Sequence, residues 1–171
     1  MNAMQKITPC LWFNEEAEQA AMFYCSVFRE GRVLSVSRYG PDDRMPEGTA
    51  LVVEFELAGQ RFQALNGGTD FPFTEAISLS IETADQAETD YYWEALTAGG
   101  GAPGPCGWLK DRFGLSWQVV PKAYVDLIST SDSSAVARIN AALYTMQKIV
   151  IADLVAARDG EAAGDAVGDP R

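Results

Sequence analysis

Few residues in this chain could do chemistry, and the ones it lacks narrow the choices first. Its 171 residues include no histidine. That removes Ser-His-Asp and Cys-His catalysis, any His-bound zinc and the usual imidazole base. Gln63 and Gln118 each follow an aromatic residue, Phe62 and Trp117, in strand-like sequence. They either hydrogen-bond a ligand, or bond each other or backbone across the junction of two modules. Neutral amides are weak metal ligands without carboxylate or imidazole companions. Lys110, Asp111 and Arg112 stand together at a hairpin tip, where a solvated turn or local ion pair is the expectation. Glu54 and Glu56 share one side of a strand, as on a wet sheet face. Cys10, Cys25 and Cys106 are an odd set without metal-type spacing. They read as reduced structural thiols of a cytoplasmic protein, with Cys106, beside a glycine-rich loop, the one to test for reactivity.

The elements that must position these residues repeat. Cys106 to Lys122 reads as two strands around the turn Asp111-Arg112-Phe113-Gly114, with Pro121 ending the second strand's hydrogen bonding. Ala58 to Asn66 matches Phe113 to Pro121 at Gly59/Gly114, Phe62/Trp117 and Gln63/Gln118. Before the first copy come a strand over 6–13, a helix and a strand over 32–39. Asn14 is the expected helix N-cap; Ala17, Ala20, Ala21, Tyr24 and Phe28 form its apolar stripe. The strand over 49–57 puts Val53, Phe55 and Leu57 on one face. The pattern restarts with a strand over 76–82 and a helix over 85–98, at whose start Thr83 with Gln86 and Asp85 with Glu88 each resemble a capping box. Gly99-Gly100-Gly101 follows that helix, whereas a phosphate cradle follows a strand and opens a helix. By the same argument no S-adenosylmethionine-binding unit is visible. Beyond Lys122 the spacing of Val136, Ile139, Leu143 and Met146, then Ile151, Leu154 and Val155, is helical.

The expected fold class is α+β, with two βαβββ modules and a C-terminal helical extension. The paired domain covers 6–128, with modules at about 6–68 and 75–122. The helical extension covers 132–158, and an acidic tail over 159–171 lacks core-forming residues. The net charge of −11 argues against a nucleic-acid partner, and no apolar run is long enough to cross a membrane. Lys6 leads straight into strand-like sequence, which is not the order of a secretory leader.

Four stretches carry a resemblance: Cys10-Leu11-Trp12-Phe13, Phe23-Tyr24, Ala64-Leu65-Asn66-Gly67-Gly68 and Cys106 to Gly114. They resemble the PhnB-like branch of the vicinal oxygen chelate superfamily, often labelled demethylubiquinone methyltransferase-like. The superfamily includes glyoxalase I, extradiol dioxygenases and bleomycin-resistance proteins. The resemblance covers about residues 6–158. It implies a glyoxalase-like fold of curved mixed sheets, with the modules side by side, and a homodimer. Superfamily enzymes hold a divalent metal through one residue from each of four strands. Those positions fall here on Pro9, Gln63, a residue between Ala76 and Ser78, and Gln118, a set that departs from the metal-binding pattern.

The expected function is therefore metal-free binding of a small molecule, with aromatic ones among the candidates, in a cup between the modules, without a cofactor. The alternative is an enzyme, a lyase, isomerase or methyltransferase-like activity on a small quinone-like or aromatic substrate. No catalytic residue is assigned. The candidate ligand-binding residues are Leu11, Phe13, Gln63, Asn66, Phe71, Phe73, Ser78, Trp108 and Gln118. Phe71 and Phe73, in a loop, are lid candidates, and Asn66 is either a turn residue or a ligand contact. Trp12, out of phase with Phe13, is expected beneath a helix.

Overall fold

The computed structural model describes residues 6–160, and its chain divides into two compact units, 1–74 and 75–171. The first unit runs β1 (Cys10–Phe13), α1 (Ala17–Val27), β2 (Arg32–Arg38), β3 (Ala50–Leu57) and β4 (Gln60–Asn66). Its sheet has the order β1-β4-β3-β2, with β1 parallel to β4 and the other pairs antiparallel. β2, with its polar residues, stands at an edge of this sheet.

Alternation decides what the sheet buries. Val53, Phe55 and Leu57 of β3, with Phe62 and Ala64 of β4, face α1 and are buried. Tyr24 of α1 stacks on Phe55 with ring centroids 6.2 Å apart, and Phe55 stacks on Phe62 at 5.4 Å. Each of these rings contributes about 2 kcal/mol or more by burial. The remaining face carries Glu54, Arg61 and Gln63.

The helix start departs from expectation. Glu16, not Asn14, is the N-cap, and it makes no side-chain cap bond. Asn66 serves instead from the end of β4. Its Oδ1 accepts from the Ala17 amide at 2.8 Å, and its Nδ2 donates to the Ala50 carbonyl at 2.9 Å. This bond spans 49 residues, so local capping rules have no access to it.

The phase of β1 also departs from expectation. Leu11 pairs with Ala64 and Phe13 with Asn66, so both side chains join the buried face beneath α1. Trp12 takes the opposite face. Its indole lies over Gly67, where a Cβ would collide with the ring, and its Nε1 donates to the Gly68 carbonyl at 2.8 Å. The reversal has a simple cause: four apolar residues in a row show no alternation, and the partner strand sets the register.

The second unit repeats the order with β5 (Leu79–Thr83), α2 (Gln86–Thr97), β6 (Ala102–Pro103), β7 (Trp108–Lys110) and β8 (Ser116–Pro121). Its sheet runs β5-β8-β7-β6, with β5 parallel to β8. The strand expected over 76–82 begins only at Leu79, which leaves Ile77 exposed. Asp85 caps α2 by accepting from the Glu88 amide at 2.8 Å, while Glu88 accepts from the Ala84 amide. Ile81, Thr83, Trp117 and Val119 are buried on the helix side, where the Thr83 and Thr89 hydroxyls meet at 2.7 Å.

The C-terminal helices α3 (Lys122–Thr130), α4 (Ser133–Leu143) and α5 (Ile151–Asp159) belong to this second unit. Leu127, Ile139, Leu143, Ile149 and Leu154 form their core, with Cys106 packed against it. The Cys106 and Gly107 amides donate to the Met146 and Gln147 carbonyls at 2.8 and 2.7 Å. Gln86 completes the attachment, accepting from the Ile151 amide and donating to the Ile149 carbonyl. The acidic tail expected over 159–171 lies outside the described residues from 161 onward.

Candidate functional site

The hairpin of β7 and β8 builds the site. Trp108 pairs with Gln118 and Lys110 with Ser116, so all four side chains leave the sheet on the face away from α2. The intervening turn is stiff. Gly114 sits at φ +86°, a value that favours glycine. Asp111 is buried rather than solvated. Its Oδ1 accepts from the Phe113 and Leu115 amides at 2.8 and 3.1 Å, and its Oδ2 accepts from the Trp117 indole at 2.8 Å. The expectation of a wet turn fails here because the indole on the helix side needs a buried acceptor.

The open side of this hairpin meets the loop around β6 and forms a cavity of about 490 Å³. Ala102, Pro103, Pro105 and Trp108 give it apolar walls. Glu75, Cys106, Lys110 and Ser116 supply the polar groups. Lys110 Nζ pairs with Glu75 Oε1 at 2.5 Å, and this hydrogen bond holds the Glu75 carboxyl below the usual carboxylate range. Ser116 is buried, and its Oγ has no hydrogen-bond partner among the described residues.

The candidate residues separate into groups. Trp108 lines the cavity. Gln118 shares its sheet face and donates to Ser78 Oγ at 2.9 Å, so the Ser78–Gln118 pair forms one unit beside it. Gln63 lies in the first unit, lining a pocket of about 70 Å³ with Thr8, Leu34, Glu54, Arg61 and Phe62. Its Nε2 donates to Glu54 at 3.3 Å. Leu11, Phe13 and Asn66 belong to the buried helix side of the first sheet. Phe71 is exposed and meets Trp12 edge-on at 4.9 Å; Phe73 meets Phe13 edge-on at 5.3 Å. Sequence reasoning missed Ser116, Pro103, Pro105 and Glu75. For Ser116 the available signal was its alternation with Gln118, two residues on.

The donors at the superfamily's metal positions do not fit a divalent ion. Pro9 offers only its carbonyl, which accepts from the Gln63 amide at 2.9 Å. The two glutamine amides are neutral and already hydrogen-bonded. Among the described residues no group of three Cys, Asp or Glu is placed to hold a metal. The glycines 99–101 fit a nucleotide no better, since they link α2 to β6 and the Arg112 guanidinium fills the space a Gly99 Cβ would take.

Comparison with known proteins agrees with this architecture. The family model described as 3-demethylubiquinone-9 3-methyltransferase matches residues 5–120. A crystallised PhnB protein from Bacillus cereus, named as a 3-demethylubiquinone-9 3-methyltransferase, is 34% identical with a TM-score of 0.62; 68% of this chain and 99% of that one are covered. Protein PA1353 from Pseudomonas aeruginosa is 21% identical with a TM-score of 0.56, covering 68% and 97%, and shares the fold. A glyoxylase/bleomycin resistance protein/dioxygenase domain from Frankia is also similar, at 14% identity, a TM-score of 0.46 and coverage of 70% and 93%. No curated protein matches. With two βαβββ units and a family model covering most of its length, the chain belongs to the 3-demethylubiquinone-9 3-methyltransferase family, the PhnB-like family that its motifs resemble.

Proposed function

We propose that this chain binds a small molecule with an apolar or aromatic body, without a metal, in the cleft on the open face of its second sheet. The cavity itself carries the reading. Its volume of about 490 Å³ lies within the range of small-molecule sites, roughly 300–1,000 Å³. Its walls are apolar, with a few converging polar groups, as such sites require. Trp108 offers the largest flat surface for a ring. The Ser78–Gln118 pair stands beside it. Three free thiols support a reducing compartment, and the resemblance supports a homodimer.

The enzyme reading has Glu75, Lys110 and Cys106 to work with in the cleft. Lys110 keeps Glu75 ionised, which ties the two charges to each other rather than to a proton transfer. Binding is therefore the better-supported reading.

Native mass spectra of untagged protein purified without chelator test it, for wild type and Trp108→Ala. The expected spectrum is a metal-free dimer that carries a small organic mass, or takes one up from a mixture of aromatic compounds, with the mass lost in the variant. A stoichiometric divalent metal overturns the metal-free part. A protein that retains and takes up nothing overturns the binding reading.

A further inference from the structure

The polar groups of the cleft say more about its occupant than its walls do, provided the cleft is a binding site as read above. Ser116 and Lys110 are register partners on neighbouring strands and leave the sheet on the same face. Ser116 is 1% exposed, and its Oγ lacks a partner among the described residues. Buried polar groups are nearly always hydrogen-bonded, so each exception needs an explanation. Ser116 is among the residues that line a cavity of ligand size, so an occupant there could supply the bond. Lys110 pairs with Glu75, whose side chain is 64% exposed. An ammonium carries three donors, so that pair leaves donors over. The carboxylate in the cleft, Glu75, is already engaged. What the protein has to spare on this wall is donors, side by side.

We propose that the cleft takes a small aromatic monocarboxylate. Its ring lies against Trp108 and Pro103. One carboxylate oxygen accepts from Ser116 Oγ, and the other faces Lys110 Nζ. A carboxylate presents two acceptor oxygens to two adjacent donors, which a single hydroxyl or ketone does not. The net charge of −11 disfavours a multiply charged anion in the same place.

Calorimetric titration with 1-naphthoate, its neutral isostere 1-naphthamide, and naphthalene tests this on the full chain. The wild type is expected to bind naphthoate at least about tenfold tighter than naphthamide, with naphthalene weakest. Ser116→Ala is expected to lose about tenfold for naphthoate while the free protein keeps or raises its Tm, since an unpartnered hydroxyl has been removed. Lys110→Gln is expected to bring naphthoate to the naphthamide level and leave naphthalene unchanged. Equal binding of all three probes, lost in Trp108→Ala, would overturn the acid proposal and leave the cleft reading standing. Binding of naphthoate unaffected by Ser116→Ala would overturn the proposal too. No binding of any probe, or binding indifferent to Trp108→Ala, would overturn both.

Discussion

Asp111→Asn is the sharpest probe of the hairpin that carries the site. The carboxylate is 2% exposed and accepts from two backbone amides through Oδ1 and from the Trp117 indole through Oδ2. An asparagine placed the same way keeps the Oδ1 bonds. It sets an NH₂ group against the indole N–H, so two donors face each other in a buried place. Flipping the amide restores the indole bond and orphans the two backbone amides instead. Either way a charge-assisted bond is lost and a buried donor is left over, for a cost of about 2–3 kcal/mol. For a chain of this size that corresponds to roughly 5–10 °C in Tm. Urea titration followed by far-UV circular dichroism measures the loss directly. Trp117→Phe removes the indole donor, so the double variant is expected to lose clearly less than the two single losses added together. An Asp111→Asn protein within about 0.5 kcal/mol of wild type, or strictly additive losses, would refute the buried-acceptor argument.

Three further outcomes are expected. Asn66→Ala leaves the Ala17 amide and Ala50 carbonyl unpaired in a buried place and is expected to cost about 2–4 kcal/mol in urea, with amide exchange accelerated through the first turn of α1. Leu154→Ala opens a cavity in the core that joins α5 to α3 and α4, for about 2–5 kcal/mol, read by the same titration. Asp90 is held below its ordinary value of 3.8 by hydrogen bonds from Lys148 and Gln86. Its contribution is present above pH 3.8 and lost as pH falls through the lower folded value. The Tm advantage of wild type over Asp90→Asn is expected to be small, because the pair is exposed, and to vanish in scans taken from pH 5 to below 3.

The two βαβββ units were legible because their signals are local. Val53, Phe55 and Leu57 alternate with polar neighbours, and Ala17, Ala20, Ala21 and Tyr24 keep a helical stripe. The match of Phe62-Gln63 to Trp117-Gln118 held in space: in each sheet the aromatic faces the helix and the glutamine the open side. Where several apolar residues adjoin, as in Leu11-Trp12-Phe13, alternation is silent and the partner strand decides. Asn66 and Asp111 look like turn residues by type, yet each is buried by a partner the local sequence does not reveal. The α1 amide lies 49 residues from Asn66. The Trp117 indole is only six residues from Asp111, but its role depends on the hairpin closing. Of the site, Trp108 could be read from its motif. Ser116 could be placed on the open face only by its alternation with Gln118, and its missing partner shows only once burial is known.

The central claim is that the cleft beside Trp108 holds a small molecule. The most direct measurement is an ¹H–¹⁵N spectrum of the indole groups during titration with 1-naphthoate, with the Trp108 resonance assigned by Trp108→Phe. The account predicts a saturable shift of Trp108 while Trp93, buried on the helix side of the same unit and not among the cleft's lining residues, stays in place. A Trp108 resonance that does not move, or one that moves no more than that of Trp93, would contradict it.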